Sequence, residues 1–512
     1  MSNISQNNKR IAKNTILLYF RMMLIMAINL YTSRIVLNTL GVDDYGTYTA
    51  IGGIVMIFNI IRGSLSVATQ RFITYAIGTN NFEHQNRVFS TSIFMHIALC
   101  VIILLLSETV GIWLLENKMV IPANREVAAM WVYQCSIISS LIMIMSIPYN
   151  AVIIAHEKME AFAAISLIEV LLRLGSVYLL KFFTIDKLIL YSLLMVAVEL
   201  IIRTCYTQYC IRFFKETKIR LVKDFKLIKE IGRFSMWSIM GNASYILCTH
   251  GLNILLNIFF GQVANAARGI SAQIQSVTTQ FIINMQTAFN PQITKYFSVG
   301  DLYNMRRLVF TGTRLSFFLI YIISLPIIIE CETILKLWLG VVPEYTITFT
   351  RIILLITWVN AISSPMDASV KATGKIKRYE LVIGFITILT LPISYIFLKK
   401  GYPAFTIFTV QLTLEIIAQF FRVLITSRLI LFSISDFINQ VIIRCIIVIA
   451  ISFPLPFFLH LNMERNISSF AIICITSVII SCITIYLLGL NRKERRYINN
   501  KVAQILLNKP FC

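Results

Sequence analysis

The sequence predicts an all-α protein that crosses a membrane many times. Of its 512 residues, 57% are hydrophobic and only 14% are charged, which is much less charge than a soluble domain of this length carries. Apolar runs long enough to span a bilayer recur along the whole chain. Each run is expected to be a helix, because a helix satisfies its own backbone hydrogen bonds in lipid. The regular apolar–polar alternation of a membrane β-barrel is absent from the sequence.

Short polar links separate the apolar runs into about fourteen predicted spans, and twelve remain the alternative if the last pair is excluded. The predicted spans are 14–38, 47–70, 89–115, 127–154, 161–182, 188–211, 233–260, 264–290, 309–335, 346–370, 379–398, 403–426, 438–459 and 467–489. The eighth span is polar for its position, since it carries Gln280, Asn284 and Gln286. We expect these three amides to line a water-filled interior.

Two internal matches divide the spans into halves. The pattern P-x-x-A-x-x-x-A-x-x-K that begins at Pro148 returns 217 residues later at Pro365, and Gly41 returns 220 residues later as Gly261. We therefore predict two six-helix lobes around a central cavity, related by an axis along the membrane normal. The predicted organisation is an N-terminal lobe at 1–211, a linker at 212–232, a C-terminal lobe at 233–430, two additional transmembrane helices at 431–490 and a basic tail at 491–512.

The formal net charge of +22 predicts orientation rather than nucleic-acid binding. Basic residues concentrate in alternate links and at both ends of the chain, which places both termini in the cytoplasm by the positive-inside rule. The linker at 212–232 alternates lysines with apolar residues and is expected to lie on the inner leaflet as an amphipathic segment.

The sequence gives no sign of enzyme chemistry. Hydrolase, metalloprotease and nucleotide-binding motifs are absent, and the predicted external links are too short for a catalytic domain. The ten cysteines form no CxxC pattern, and no His/Cys cluster has metal-ligand spacing. We expect a protein that is not an enzyme and holds neither a cofactor nor a metal.

Four acidic residues inside predicted spans are candidates for coupling transport to H⁺ or Na⁺: Glu169, Glu199, Asp367 and Glu415. Glu169 precedes Arg173 by four residues and Glu199 precedes Arg203 by four, so each pair meets on one helix face. A structural ion pair is the equal alternative to a coupling role at these positions.

The first two predicted spans carry arginines but no acidic residue, and this suggests an anionic substrate. Arg62 lies near the predicted midplane, whereas Arg21 and Arg34 lie closer to the membrane surfaces, where snorkelling is the alternative. Arg268 begins the eighth span in the other half. A guanidinium suits phosphate oxygens through bidentate hydrogen bonds, so the four arginines are candidates for a diphosphate site.

Several segments resemble a known family. LNTLGVDDYGTYTAIGGIVMIFN at 37–59 and RGSLSVATQRFITYAIG at 62–78 are similar to the opening helices of Wzx-type flippases for lipid-linked oligosaccharides. The segments beginning IPYNAVIIAHEK at 147 and SSPMDASVKATGK at 363 resemble later helices of that family. The resemblance covers roughly residues 10–430, and the superfamily also contains multidrug exporters of the MATE kind.

The resemblance implies a function and a set of partners. A Wzx-type protein flips undecaprenyl-diphosphate-linked oligosaccharide across the bacterial inner membrane for O-antigen or capsule assembly. Its partners are the lipid-linked substrate, membrane lipids, H⁺ or Na⁺, and the polysaccharide polymerase machinery. The NIIR motif ending at Arg62 is similar to a cavity-facing arginine motif of the lipid II flippases. Arg21, Arg34 and Arg268 match only by helix position.

Three other functions compete with this prediction. A MATE-like multidrug or organic-cation exporter needs an acidic residue in the N-lobe cavity, and the first span has none. A membrane-bound polysaccharide polymerase or ligase normally carries a large external loop, which this sequence lacks. A passive scaffold protein does not explain an arginine at the midplane.

Overall fold

The computed structural model describes most of the chain and confirms the all-α membrane fold. The described residues are 2–41, 44, 47–48, 51, 58–118, 125–180, 182–183, 186–220, 224–464, 466–492, 494–496 and 499. Within these ranges nearly every residue is helical and no β-strand occurs.

The first half of the chain contains seven helices in its described part. They are α1 (Ser2–Leu40), α2 (Phe58–Gly78), α3 (Phe82–Leu106), α4 (Ile112–Lys118), α5 (Glu126–Ala155), α6 (Met159–Leu179) and α7 (Lys187–Phe213). Polar side chains define where two of them start. Asn81 accepts a hydrogen bond from the His84 backbone N–H at the start of α3, and Asp186 accepts bonds from two N–H groups at the start of α7. Such caps satisfy donors that have no partner inside the helix.

The second half is described from Asp224 onward and is also helical. Its helices are α8 (Phe225–Ser298), α9 (Leu302–Ile329), α10 (Cys331–Leu339), α11 (Thr346–Thr373), α12 (Lys377–Lys399), α13 (Thr406–Ile430), α14 (Ile434–Phe437), α15 (Ile443–Ser452), α16 (Pro454–Asn462) and α17 (Ile467–Thr484). The predicted span 309–335 is wrong at both ends, because α9 starts at Leu302 and ends at Ile329, and the single residue Glu330 separates it from α10.

The break inside α8 falls where two spans were predicted to meet. Gly261 has a φ of 71° and a ψ of −160°, so the helical path is interrupted there. Eleven helices of the described residues are long and apolar enough to cross a membrane. Of the other three predicted spans, 14–38 lies within α1 and 264–290 lies in the more polar part of α8 that follows Gly261, whereas 47–70 overlaps the start of α2 and otherwise falls largely outside the described residues.

The backbone repeats at the spacing found in the sequence. Ten of the described residues adopt a positive φ, a conformation that costs a residue with a Cβ more than it costs glycine, and six of them are related by the repeat. They form three pairs with offsets of 217 or 220 residues: Gly41 and Gly261, Asn80 and Gly300, and Glu157 and Gly374. The same turn geometry therefore recurs at equivalent points of the two halves.

The chain divides into two compact units. The first unit comprises 1–243, 287–301 and 371–380, and the second comprises 244–286, 302–370 and 381–512. A core around Val132 and Tyr133 of α5 lies in the first unit. A core around Leu252 of α8 and Phe349 of α11 lies in the second. The first unit thus includes two segments from the second half of the sequence, and the predicted domain boundaries remain a prediction.

Candidate functional site: a carboxylate cluster in the first unit

Three helices of the first unit bring charged groups together inside the predicted membrane region. Helix α6 packs against both α1 and α7. Glu169 and Arg173 are four residues apart on α6, so both side chains lie on one face of that helix. The packing of α6 on α7 brings this face close to Glu199.

One arginine is shared between two glutamates at this contact. Arg173 Nη2 donates to Glu199 Oε1 at 2.6 Å and forms an ion pair with Glu169 Oε1 at 2.9 Å. The Glu199 side chain is 10% exposed and that of Glu169 is 27% exposed. The predicted pairing of Glu199 with Arg203 is wrong, because the neighbouring helix presents Arg173 at hydrogen-bond distance. We call Glu169, Arg173 and Glu199 the carboxylate cluster.

Arg62 lies close enough to the carboxylate cluster to interact with it. Its Nη1 contacts Met143 Sδ on α5, and its charge interacts with the carboxylates of Glu199 and Glu169. The first two spans contain no acidic residue, as the sequence analysis found, and α6 and α7 supply the carboxylates that interact with Arg62. The predicted role of Arg62 in binding a diphosphate is untested.

Arg21 of α1 also belongs to this region. Its guanidinium lies over the Phe162 ring at 4.4 Å from the centroid, and its charge interacts with Glu169. A cation stacked on an aromatic ring is partly compensated for lost hydration. The structure thus gathers Arg21 and Arg62 around the carboxylate cluster, whereas the side chain of Arg34 lies outside the described residues.

Arg268 has a different setting in the second unit. It is buried and donates from Nη1 to Asn253 Oδ1 at 2.5 Å, and it lies over Phe408 at 5.9 Å. Asn253 precedes Gly261 and Arg268 follows it, so this bond connects the two arms of the broken helix α8. The bond stabilises the break, and the proposed role of Arg268 in binding a diphosphate is untested.

The three amides of the eighth predicted span differ in exposure. Asn284 is 2% exposed and donates to the backbone carbonyl of Gln280 at 2.9 Å. The side chains of Gln280 and Gln286 are partly exposed. The Asn284 amide therefore has its hydrogen-bond acceptor on its own helix. The prediction that the three amides line a water-filled interior is untested.

The second unit contains its own buried ion pair. Arg422 Nη1 donates to Glu415 Oε2 at 3.0 Å and to Ser363 Oγ at 3.1 Å. Ser363 Oγ in turn donates to Gln419 Oε1 at 2.6 Å. This network connects α11 and α13, which favours the structural alternative for Glu415. Asp367 lies partly buried on α11, and its predicted coupling role is untested.

The sequence analysis missed a buried contact at the turn after α5. Glu157 has a φ of 59°, and its side chain is 1% exposed. It accepts hydrogen bonds from Lys295 Nζ at 2.6 Å and from Gln292 Nε2 at 2.7 Å. Both donors lie near the end of α8, in a segment of the second half that belongs to the first unit.

A matching contact occurs at the equivalent turn of the other half. Arg71 Nη2 of α2 donates to the backbone carbonyl of Ala372 at 3.2 Å. A Cβ placed on Gly374 would lie 2.7 Å from that nitrogen, so glycine allows the close approach. We call these two interactions, at Glu157 and at Ala372, the turn contacts. The repeated P-x-x-A-x-x-x-A-x-x-K pattern spans both turns and was the available signal.

Comparisons with known proteins identify the fold. A family model described as MatE matches residues 238–396. No curated protein sequence gives a significant match. Among solved structures, an outward-facing multidrug resistance MATE family transporter of the MOP superfamily is 16% identical over 83% of this chain and 96% of its own, with a TM-score of 0.70. The Vibrio cholerae MATE transporter VcmN in its bent form is 17% identical over 84% and 98%, with a TM-score of 0.69.

A third similar structure differs in its described chemistry. It is a MOP superfamily transporter from Pyrococcus furiosus, reported with a binding pocket of reversed polarity that suggests a different function. It is 17% identical over 84% of this chain and 96% of its own, with a TM-score of 0.67. These structural similarities show the two-lobed MATE transporter fold and confirm the predicted fold class.

The comparisons contradict the predicted polysaccharide flippase function. The matching model and the similar structures are described as MATE proteins or as a MOP superfamily transporter, and the Wzx-type resemblance is not supported beyond that superfamily. The alternative of a MATE-like exporter fits these findings better. The flippase prediction depended on the family resemblance and on arginines with no acidic residue on the first two spans, and the structure adds carboxylates of α6 and α7 that interact with Arg62.

Proposed function

We propose that this chain is a MATE-type exporter that exchanges an organic cation for H⁺ or Na⁺ by alternating access. The fold supports transport, and the carboxylate cluster is the observation that carries the exchange mechanism. The proposal includes a bacterial inner-membrane location with both termini in the cytoplasm, as the positive-inside rule predicts. It includes no enzymatic step.

The charge balance of the cluster favours binding of one cation at a time. Arg173 neutralises one of the two carboxylates that it touches, so these three groups together carry one negative charge. A proton, a sodium ion or an organic cation balances that charge. Arg62 and Arg21 contribute two positive charges nearby that also interact with these carboxylates, so a cation must compete with them, and no more than one is expected to bind at a time because charges interact strongly away from bulk water. Competition between two cations for one site is the basis of exchange.

Ion binding at the cluster is linked to helix packing. Glu199 lies on α7 and Arg173 on α6, so their hydrogen bond holds the two helices together. Protonation of Glu199 removes the charge that attracts Arg173 and weakens this connection. A ligand shifts a conformational equilibrium when it binds two states with different affinity. We propose that a cation binds with different affinity to the state in which Arg173 and Glu199 are paired and to the state in which they are apart.

The turn contacts provide connections that an alternating mechanism can break. Each one joins the two halves of the sequence within the first unit, since Lys295 reaches Glu157 and Arg71 reaches Ala372. Alternating access requires contacts between the halves to form in one state and to separate in the other. We propose that the turn contacts are formed in the conformation described here and separate in the other conformation of the transport cycle.

A reconstituted transport assay tests the proposal. The purified full chain is placed in liposomes, a pH or Na⁺ gradient is imposed, and movement of ethidium is followed by fluorescence. We expect gradient-driven movement in the wild type and its loss in the Glu199→Gln variant. Glu160→Gln is the matched control, because Glu160 lies on α6, the helix of Glu169 and Arg173, but is exposed and paired with Lys13. Absence of ethidium movement under both gradients, with the protein folded, contradicts the proposal.

A further inference from the structure

A basic pocket in the second unit is not explained by the proposed exchange mechanism. It has a volume of about 340 Å³ and is lined by residues of α9, of the segment 432–440 that follows α13, and of the chain after α17. Arg306, Arg307 and Arg314 contribute three guanidinium groups, and Asp436 contributes one carboxylate. This volume is within the range of small-molecule sites.

The three arginines are engaged to different degrees. Arg314 is buried, pairs with Glu494 and donates to the Gln440 carbonyl at 3.1 Å, so its charge and geometry are fixed. Among the described residues, Arg306 donates only to the neutral carbonyls of Leu302 and Leu431. The Arg307 guanidinium makes no hydrogen bond or ion pair with any described residue. The pocket therefore presents two guanidinium groups whose charge is not compensated by an ion pair within the described chain.

The pocket lies where several membrane helices end. Helix α9 starts at Leu302, α13 ends at Ile430, α14 starts at Ile434, and the last span ends at Gly489. These ends place the pocket at a membrane–water interface. The lining residues Phe432, Asp436 and Gln440 alternate in sequence with the exposed apolar residues Leu431, Ile434 and Ile438. A ligand with an anionic head and an apolar tail fits this combination.

We propose that the pocket binds the phosphate group of an anionic phospholipid, with Arg306 and Arg307 holding the phosphate and the apolar residues contacting the acyl region. Guanidinium groups bind phosphate oxygens through paired hydrogen bonds. Basic pockets between membrane helices on the cytoplasmic side are established sites for lipid head groups, and the positive-inside rule places this pocket on that side. The Asp436 carboxylate selects against a head group with several phosphates. The lipid connects α9 to the last two spans.

Lipid binding to the purified full chain tests this proposal. Native mass spectrometry measures the binding of phosphatidylglycerol and of phosphatidylcholine to protein freed of endogenous lipid. We expect phosphatidylglycerol to bind more tightly, and the Arg306→Gln, Arg307→Gln double variant to lose about tenfold in affinity, which is about 1.4 kcal/mol. The matched control is the Arg212→Gln, Lys215→Gln double variant, which removes the same charge at exposed positions of the first unit and should bind like the wild type.

Two further measurements keep the test decisive. If the double variant does not fold, Arg307→Gln alone decides, since Arg307 has no hydrogen-bond or ion-pair partner among the described residues and its loss should not affect folding. Inorganic phosphate is titrated as the soluble source of the same chemistry. Equal affinity for the two lipids, unchanged binding in the Arg307→Gln variant, or displacement of the lipid by inorganic phosphate at similar affinity would each overturn the proposal.

Discussion

Lys295 Nζ donates to the Glu157 carboxylate at 2.6 Å across a sequence separation of 138 residues. The Glu157 side chain is almost fully buried in this contact. Glu157 is also a non-glycine residue with a positive φ. A residue kept in a costly backbone conformation indicates that its surroundings hold it there. We infer that this pair stabilises the conformation of the first unit described here.

The Glu157→Gln substitution should destabilise that conformation. A glutamine keeps the shape of the side chain but leaves Lys295 without its counter-ion, and Lys295 is partly exposed. We therefore expect a loss of about 1–3 kcal/mol, below the full value for a buried pair, visible as a lower thermal midpoint in detergent. The control is Glu160→Gln, which removes an exposed pair with Lys13 and should change stability by less than about 1 kcal/mol. Equal effects of the two variants would contradict a special role for Glu157.

The Gly374→Ala substitution should disturb the second turn contact. Gly374 has a φ of 74°, and a Cβ there would lie 2.7 Å from Arg71 Nη2. Both the backbone strain and the displacement of Arg71 are unfavourable, so we expect about 1–3 kcal/mol of destabilisation. Gly175→Ala is the control, since its Cβ would have no neighbour within 4 Å and its φ lies outside the left-handed region. Thermal unfolding of both variants measures the difference, and a neutral Gly374→Ala variant would exclude the close approach of Arg71.

Lowering the pH should destabilise the packing of the chain segment that follows α7, where Glu216 contacts His156. Burial raises the pKa of the Glu216 carboxyl, but hydrogen bonds from His156 and from the Glu216 backbone outweigh it, and the pKa falls below its ordinary value of 4.5. A carboxyl with a lower pKa in the folded state stabilises the fold above its unfolded value, and this stabilisation is lost as the pH falls through the folded value. The wild type should therefore lose stability below about pH 4.5 more steeply than Glu216→Gln, as measured by thermal midpoint against pH. Parallel pH profiles for the two proteins would contradict this assignment.

The sequence predicted the membrane helices well because long apolar runs have few alternatives in a bilayer. The repeat was also predictable, since Pro148 and Pro365 begin the same pattern and the structure shows matching turns at Glu157 and Gly374. The polar eighth span was recognised from its amides. Its junction with the seventh span at Gly261 was placed correctly, although the structure shows a broken helix there.

The charged site was predicted less well, for a physical reason. Pairs on one helix can be found from spacing, as for Glu169 and Arg173. The partner of Glu199 comes from another helix, so its identity depends on how α6 and α7 pack. The acidic neighbours of Arg62 likewise lie more than a hundred residues away in sequence. The error in predicted function followed from treating each span by itself.

The central claim is that an organic cation and the coupling ion compete for the carboxylate cluster. The most direct measurement is the affinity of purified protein for tetraphenylphosphonium at several pH values and Na⁺ concentrations, compared between the wild type and Glu199→Gln. We predict that H⁺ or Na⁺ weakens binding to the wild type and has no such effect on the variant, whereas Glu160→Gln behaves like the wild type. Binding to the wild type that is independent of both ions would contradict the account.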